Sequence, residues 1–162
     1  LEQKQKRQEA EKRKARKVLE AKERELVATA LHISKTSKII GYTLKRIDEL
    51  LKIHTEIEIC NDLIHIKKDL ELQSPKHDNW ETFKLLFTEV HKDFFDKLKE
   101  KHPSLTKTEL KFSAYLRIHL DSSQISSALH VTNEAIRKNR YRIRKKLGLS
   151  PKESLEDYIA RF

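Results

Sequence analysis

The chain has 162 residues, 37% of them hydrophobic and 37% charged, which suits one or two small domains with a modest core. Only two Gly and three Pro interrupt it, so the composition provides little turn material and predicts an all-α fold. Its 35 Lys and Arg exceed its 25 Asp and Glu by ten, which favours an anionic partner, either nucleic acid or an acidic membrane surface.

Several classes of protein lack support in this sequence. A single cysteine, Cys60, cannot form an internal disulfide and fits a reducing, cytoplasmic compartment. There is no run of about 18 apolar residues and no signal peptide. No Gly-rich phosphate loop occurs, and the eight histidines show no metal-binding spacing, so we predict no enzyme, metal site or cofactor. Because the chain starts at Leu1 without an initiator Met, we expect it to be part of a longer protein.

Residues 1 to about 52 predict one long helix with a coiled-coil seam. Apolar residues recur every seven positions, and a second set interleaves with them at the 3–4 spacing of a heptad. These positions are Leu19, Leu26, Ile33, Ile40 and Ile47, with Ala30, Ser37, Leu44 and Leu51. Such a helix would be roughly 78 Å long. Because a chain of this size cannot cover it alone, we expect a second copy to pair with it in a homodimer.

Three further helices are predicted before residue 104. A break near 53–55 precedes an amphipathic helix that can fold back on the first as a hairpin; its apolar positions are Ile59, Leu63, Ile66 and Leu70. The Ser74-Pro75 step marks a linker. An aromatic stripe then predicts two short helices that end at Pro103 and pack the C-terminal segment onto the long helix. Its members are Trp80, Phe83, Phe87, Phe94 and Phe95.

The remaining segment has the order of a helix-turn-helix. Three helix-start signals divide it, each with a side chain suited to capping. They are Thr106 with Glu109, Asp121-Ser122-Ser123, and Thr132. The helices that they open run to about residue 120, from 123 to 129 and from 133 to 147, and Gly148 follows where a left-handed residue is expected. A long helix, a short helix, a tight turn and a long helix form this motif.

The last long helix is strongly basic. Seven of the ten residues from 137 to 146 are Lys or Arg, whereas Ile136, Ile143 and Leu147 share one face. That face is expected to pack on the core and leave the charged surface for phosphates and base edges. A merely solvated helix usually mixes both signs of charge, and only Glu134 opposes here.

This segment resembles the LuxR-type (GerE-like) helix-turn-helix, which is related in shape to region 4 of sigma factors. The matching residues are Leu105-Thr106-x-x-Glu109, Ile125-Ser126-x-x-Leu129, Val131-Thr132, Ala135-Ile136-Arg137 and Lys145-Lys146-Leu147. The sequence departs from the family where Leu120-Asp121 replaces a common Gly, and at His130 and Asn133.

A wider resemblance extends to the aromatic helices. Phe87-x-x-Val90-His91-x-Asp93-Phe94-Phe95-x-x-Leu98, Pro103-x-Leu105-Thr106 and the run from Arg140 to Leu147 are similar to regulators of Bacteroidetes-type bacteria. In that group tetratricopeptide repeats or a propeller precede one transmembrane helix, a cytoplasmic coiled coil and this module. The resemblance implies a membrane anchor upstream of Leu1, and the basic residues 1–27 would fit the positive-inside pattern.

The resemblance also implies roles for individual residues. Arg137, Lys138 and Tyr141 would project into the major groove, where Arg137 could bind guanine through two hydrogen bonds. Phosphate contacts are expected near the helix starts and further along the basic helix. The complete set of predicted DNA-binding residues is Gln124, Thr132, Asn133, Arg137, Lys138, Tyr141, Arg144 and Lys145. Arg142 is expected to pair with an acid elsewhere.

These observations predict a sequence-specific transcription regulator that binds double-stranded DNA as a homodimer, with residues 133–147 as the recognition helix and RNA polymerase as a further partner. The predicted domains are a coiled-coil dimerisation stalk (1–74), connecting helices with an aromatic core (75–103) and the LuxR-type helix-turn-helix domain (104–162). Two alternatives stay open. One is a coiled-coil scaffold whose basic helix binds a membrane or a partner protein, and the other is a sigma-like polymerase subunit.

Overall fold

The computed structural model describes residues 2–73 and 78–162, and every regular element within them is an α-helix. The all-α fold with a long N-terminal helix is thereby confirmed, while the Ser74-Pro75 linker lies outside the described residues. In chain order the helices are α1 (Glu2–Ile53), α2 (Ile57–Gln73), α3 (Asp78–Val90), α4 (Phe94–Lys101), α5 (Lys107–Arg117), α6 (Ser122–Leu129), α7 (Asn133–Lys146) and α8 (Leu155–Ile159).

The first two helices form a hairpin. α1 ends at Ile53 and α2 begins at Ile57, so the predicted break is confirmed although neither Gly nor Pro marks it. α2 packs back along α1, and Lys67 Nζ lies 2.7 Å from Asp48 Oδ1 across the pair. The Cys60 thiol donates a hydrogen bond to the carbonyl of His54 in the connecting turn. An ion pair and a thiol hydrogen bond thus help to close the hairpin.

The middle of α1 belongs to the same core as the C-terminal helices. Leu26, Ala30 and Ile33 are at most 4% exposed and cluster with buried residues of α3 to α8. α1 packs mainly against α6 and α3, because small side chains on both α1 and α6 allow close approach. We call Leu26, Ala30, Ile33 and Ser37 the inner seam. These positions of the predicted coiled-coil seam are therefore covered by the chain's own helices.

The aromatic stripe joins α3 and α4 to this core, as predicted. Phe83 and Tyr115 stack with ring centroids 4.6 Å apart, and Trp80 meets the edge of Tyr115 at 6.1 Å. Lys22 Nζ pairs with Glu89 Oε2 and holds α1 to α3 at the surface. Aromatic packing therefore links the helix-turn-helix to α1 through α3.

The helix ends in the C-terminal segment follow the predicted caps closely. Two capping boxes are present, one between Thr106 and Glu109 and one between Asp121 and Gln124. α6 therefore begins at residue 122 rather than 123, because Asp121 is its cap. α5 ends at 117 rather than near 120, because His119 adopts a φ of 61° and the Leu120 N–H bonds to the Tyr115 carbonyl, a Schellman closure.

Candidate nucleic-acid interface

The turn between α6 and α7 is fixed by local hydrogen bonds. His130 ends α6 with a φ of 53°, and the Val131 N–H donates to the Ser126 carbonyl over 3.0 Å. The Ser126 hydroxyl donates in return to the Val131 carbonyl. Thr132 then caps α7, its Oγ1 accepting from the Ala135 N–H at 3.1 Å. These bonds set the direction in which α7 leaves the turn.

The other end of α7 is closed by Gly148. Its φ is +69°, and the Leu149 N–H donates to the Arg144 carbonyl over 3.0 Å. The helix stops at Lys146 with Leu147 as its cap, one residue short of the predicted end. Ile136 and Ile143 are 0% exposed, which confirms that they face the core. One face of α7 is therefore buried against the core of the protein.

Three of the seven basic residues between 137 and 146 are bound to the rest of the protein. Lys146 Nζ lies 2.7 Å from Glu109 Oε2 and 2.8 Å from the Ser104 carbonyl. Arg140 pairs with Glu156 on α8 and lies over the ring of Phe112. Arg144 donates to the carbonyls of Ser150 and Glu153. Arg140 and Arg144 hold α8 and the C-terminal loop in place, and Lys146 ties the end of α7 to the start of α5.

The partner of Lys146 is the most buried acid in this segment. Glu109 is 5% exposed. Burial alone would raise the pKa of Glu109, but hydrogen bonds from Lys146 and Thr106 together lower it below its ordinary value. The carboxylate therefore stays charged near neutral pH and joins α5 to the end of α7.

The other basic residues of α7 point to solvent. We call Arg137, Lys138, Tyr141, Arg142 and Lys145 the outward arc, and all five are exposed. With 3.6 residues per turn they span about 140° of the helix circumference. Tyr141 is 70% exposed, although an aromatic side chain usually packs inside. Lys138 Nζ lies 2.8 Å from Glu134 Oε1, an exposed pair one turn away. Four cations and one aromatic ring thus face outward together.

Some of the predicted site residues are exposed on α7, and the others form hydrogen bonds within the helix-turn-helix. Arg137, Lys138, Tyr141 and Lys145 lie on the arc, and Asn133 is exposed in the first turn of α7. Three other predicted residues make internal bonds. They are Gln124, whose Oε1 accepts from the Asp121 N–H, Thr132 in its cap, and Arg144 in the loop.

Arg142 was expected to pair with an acid elsewhere, and that prediction is wrong. Arg142 is exposed on the outward arc, one residue after Tyr141 and four after Lys138. That spacing was the available signal, because residues three or four apart share a helix face. Within the parts of the chain that the structure describes, Arg142 makes no ion pair.

No helix in 2–73 or 78–162 combines the length and the apolar character needed to cross a bilayer. Among those same residues, no group of three or more His, Cys, Asp or Glu side chains is placed to hold a metal ion. Comparison with models of protein families, with curated proteins and with solved structures finds no match for this chain.

Proposed function

We propose that this protein is a cytoplasmic, sequence-specific DNA-binding regulator of transcription that acts as a homodimer, with α7 in the major groove. The observation that carries the proposal is the outward arc. A helix-turn-helix with closed caps presents four unburied cations and an exposed tyrosine on one face. A solvated surface helix has no need of a short helix and a fixed turn before it.

The dimensions of α7 suit the groove. Its 14 residues give a helix about 21 Å long, and the major groove of B-DNA, about 12 Å wide, admits one helix. Arg137 lies in the second turn, where recognition helices reach base edges. Its guanidinium is exposed and able to bind guanine O6 and N7 together. Lys138 and Tyr141 lie beside it on the same arc.

The charges on the arc set the salt dependence. If all four cations contacted phosphates, each module would neutralise four charges and log K would fall with log salt at a slope of about −3.6. Base contacts by Arg137 or Lys138 would reduce that slope. Arg140, Arg144 and Lys146 already hold protein partners, so we expect them to add little.

The test begins with selection of bound sequences from random duplex DNA. A recovered motif with fixed spacing supports the proposal, whereas binding without sequence preference at moderate salt contradicts it. Arg137→Ala should cost about 1–3 kcal/mol and relax specificity at one base pair. Lys145→Ala should weaken all sequences alike and reduce the salt slope by about 1.

The matched control is Lys68→Ala, which removes the same charge from the exposed surface of α2. It should change neither the selected motif nor the salt slope. Titration with anionic vesicles completes the design. Binding to vesicles and none to DNA would support a scaffold whose basic helix binds a membrane.

A further inference from the structure

A second apolar stripe runs along the free face of α1. We call Ile39, Tyr42, Arg46, Glu49 and Ile53 the outer stripe, and their spacing is 3, 4, 3 and 4 residues. At about 100° per residue the stripe lies roughly opposite the inner seam on the helix circumference. Its three apolar members are 66%, 68% and 73% exposed. It is therefore a heptad seam that no other helix in 2–73 or 78–162 covers.

Exposed apolar surface is concentrated on the hairpin that carries this stripe. Among the described residues, eight of the twelve large exposed hydrophobic side chains lie between 39 and 72, on the hairpin formed by α1 and α2. They are Ile39, Tyr42, Ile53, Ile57, Ile59, Ile64, Ile66 and Leu72. Soluble proteins leave patches of this kind uncovered mainly where they bind a partner. The 3–4 spacing indicates that another helix covers the stripe.

The charges within the stripe indicate which helix would cover it and whether that helix would run parallel or antiparallel to α1. Arg46 and Glu49 lie between the apolar residues and pair with each other at 2.8 Å. In a parallel pair of α1 helices Arg46 would face Arg46 and Glu49 would face Glu49, which is repulsive. In an antiparallel pair each Arg46 faces the other copy's Glu49, and each Tyr42 faces the other copy's Ile53. Reversing one copy therefore gives four of the five stripe members complementary partners, namely Tyr42, Arg46, Glu49 and Ile53.

We propose that the outer stripe joins two copies of this chain as an antiparallel pair of α1 helices. The inference rests on the homodimer of the proposed function, and it specifies the dimer's surface and direction. The pair is centred between residues 47 and 48, so the segments 26–37 that carry the helix-turn-helix modules lie about 48 Å apart along the axis. A parallel pair would hold the two modules side by side.

Cysteine cross-linking tests the direction. In a Cys60→Ser background, chains with Tyr42→Cys are mixed under mild oxidation with differently tagged chains carrying Ile53→Cys. We expect disulfides between the two kinds of chain and few within either kind. Two copies of residue 42 would be about 16 Å apart, beyond the 4.4–6.8 Å Cα separation of a disulfide. Cross-links only within each kind would overturn the antiparallel arrangement.

Charge reversal tests the surface. By sedimentation equilibrium, Arg46→Glu should raise the dimer dissociation constant at least tenfold, and adding Glu49→Arg should restore it. Lys45→Glu is the control, because it makes the same charge change at an exposed position off the stripe. A reversal no more damaging than the control, or a wild-type monomer at all concentrations, overturns the inference. If a wild-type monomer still selects one DNA half-site, the DNA-binding proposal stands although the dimer inference has failed.

Discussion

Replacing either of two adjacent lysines on α7 with alanine is expected to affect a different property of the protein. The Lys145 substitution should weaken DNA binding, and the Lys146 substitution should lower stability. Lys145 is exposed on the outward arc. Lys146 is tied to a buried acid: the side chains of Lys146 and Glu109 are 30% and 6% exposed, with 2.7 Å between Nζ and Oε2. The substitutions remove the same atoms from neighbouring positions, so any difference between them comes from the surroundings.

The cost of Lys146→Ala can be estimated from that pair. Breaking a fully buried ion pair costs about 3–5 kcal/mol, whereas an exposed pair contributes at most about 1 kcal/mol. Lys146 is partly solvated, so we expect a loss of about 2–3 kcal/mol. For a chain of this size that corresponds to a fall in Tm of about 4–12 °C. Lys145→Ala should leave Tm within about 2 °C of wild type, since surface changes are usually small.

Stability is measured by thermal unfolding, monitored by circular dichroism. DNA binding is titrated at several salt concentrations and at a temperature below the unfolding transition. Lys145→Ala should reduce the salt slope by about 0.9 for each module that binds DNA, and Lys146→Ala should leave it unchanged. Adding Glu109→Gln to Lys146→Met should recover stability, because it removes the uncompensated charge and the amide oxygen can still accept from the Thr106 N–H. Equal Tm values for the two alanine variants, or equal losses of slope, would refute the assignment.

Two further predictions concern stability alone. Burial, with a smaller contribution from Arg117, lowers the pKa of His91 from 6.5 to about 4, so between these values the unfolded chain binds a proton that the folded chain does not. Tm should therefore fall as pH drops from 6.5 to 4, and His91→Gln should flatten that fall. The two glycines should respond oppositely to alanine in urea unfolding. Gly148→Ala should cost about 1 kcal/mol because its φ is +69°, and Gly41→Ala, inside α1 with open space beyond it, should stabilise by about 0.5–1 kcal/mol.

A specific result would contradict each of the two stability predictions. A pH dependence in His91→Gln as steep as that of the wild type would mean that other groups cause it. Glycine substitutions that shift the urea midpoint in the same direction would contradict the contrast between a left-handed position and a helix interior.

Local signals predicted the helix-turn-helix well. The caps at Thr106, Asp121 and Thr132 each involve a hydrogen bond to a residue three positions away, so the sequence contains both partners within one turn. Gly148 similarly marks the end of α7 without any distant contact. The largest boundary error in this segment, at the end of α5, arose because His119 adopts a left-handed conformation that is uncommon for residues other than Gly.

The division of the basic residues was not predictable in the same way. Arg140 is bound by an acid 16 residues away and Lys146 by one 37 residues away. Composition and periodicity show that both residues are cationic and helical, but only tertiary packing decides that they meet Glu156 and Glu109. For Arg142 the prediction failed in the opposite direction, because the described structure contains no ion pair between Arg142 and an acid.

α1 shows most clearly what heptad spacing leaves undecided. The helix carries two seams, one through Leu26 and Ile33 and one through Ile39 and Ile53, and both follow the same 3–4 rule. The more apolar and regular of the two was expected to meet a second copy. Instead its small residues, Ala30 and Ser37, receive α6 of the same chain, an approach that larger side chains would prevent. The outer stripe is left free because its charges and its tyrosine are poorly suited to that core. A dimer formed through the outer stripe would join two copies of α1, and each α1 also packs against α6 of its own chain. The direction of the α1 pair would therefore fix the orientation of the recognition helix α7 in each copy.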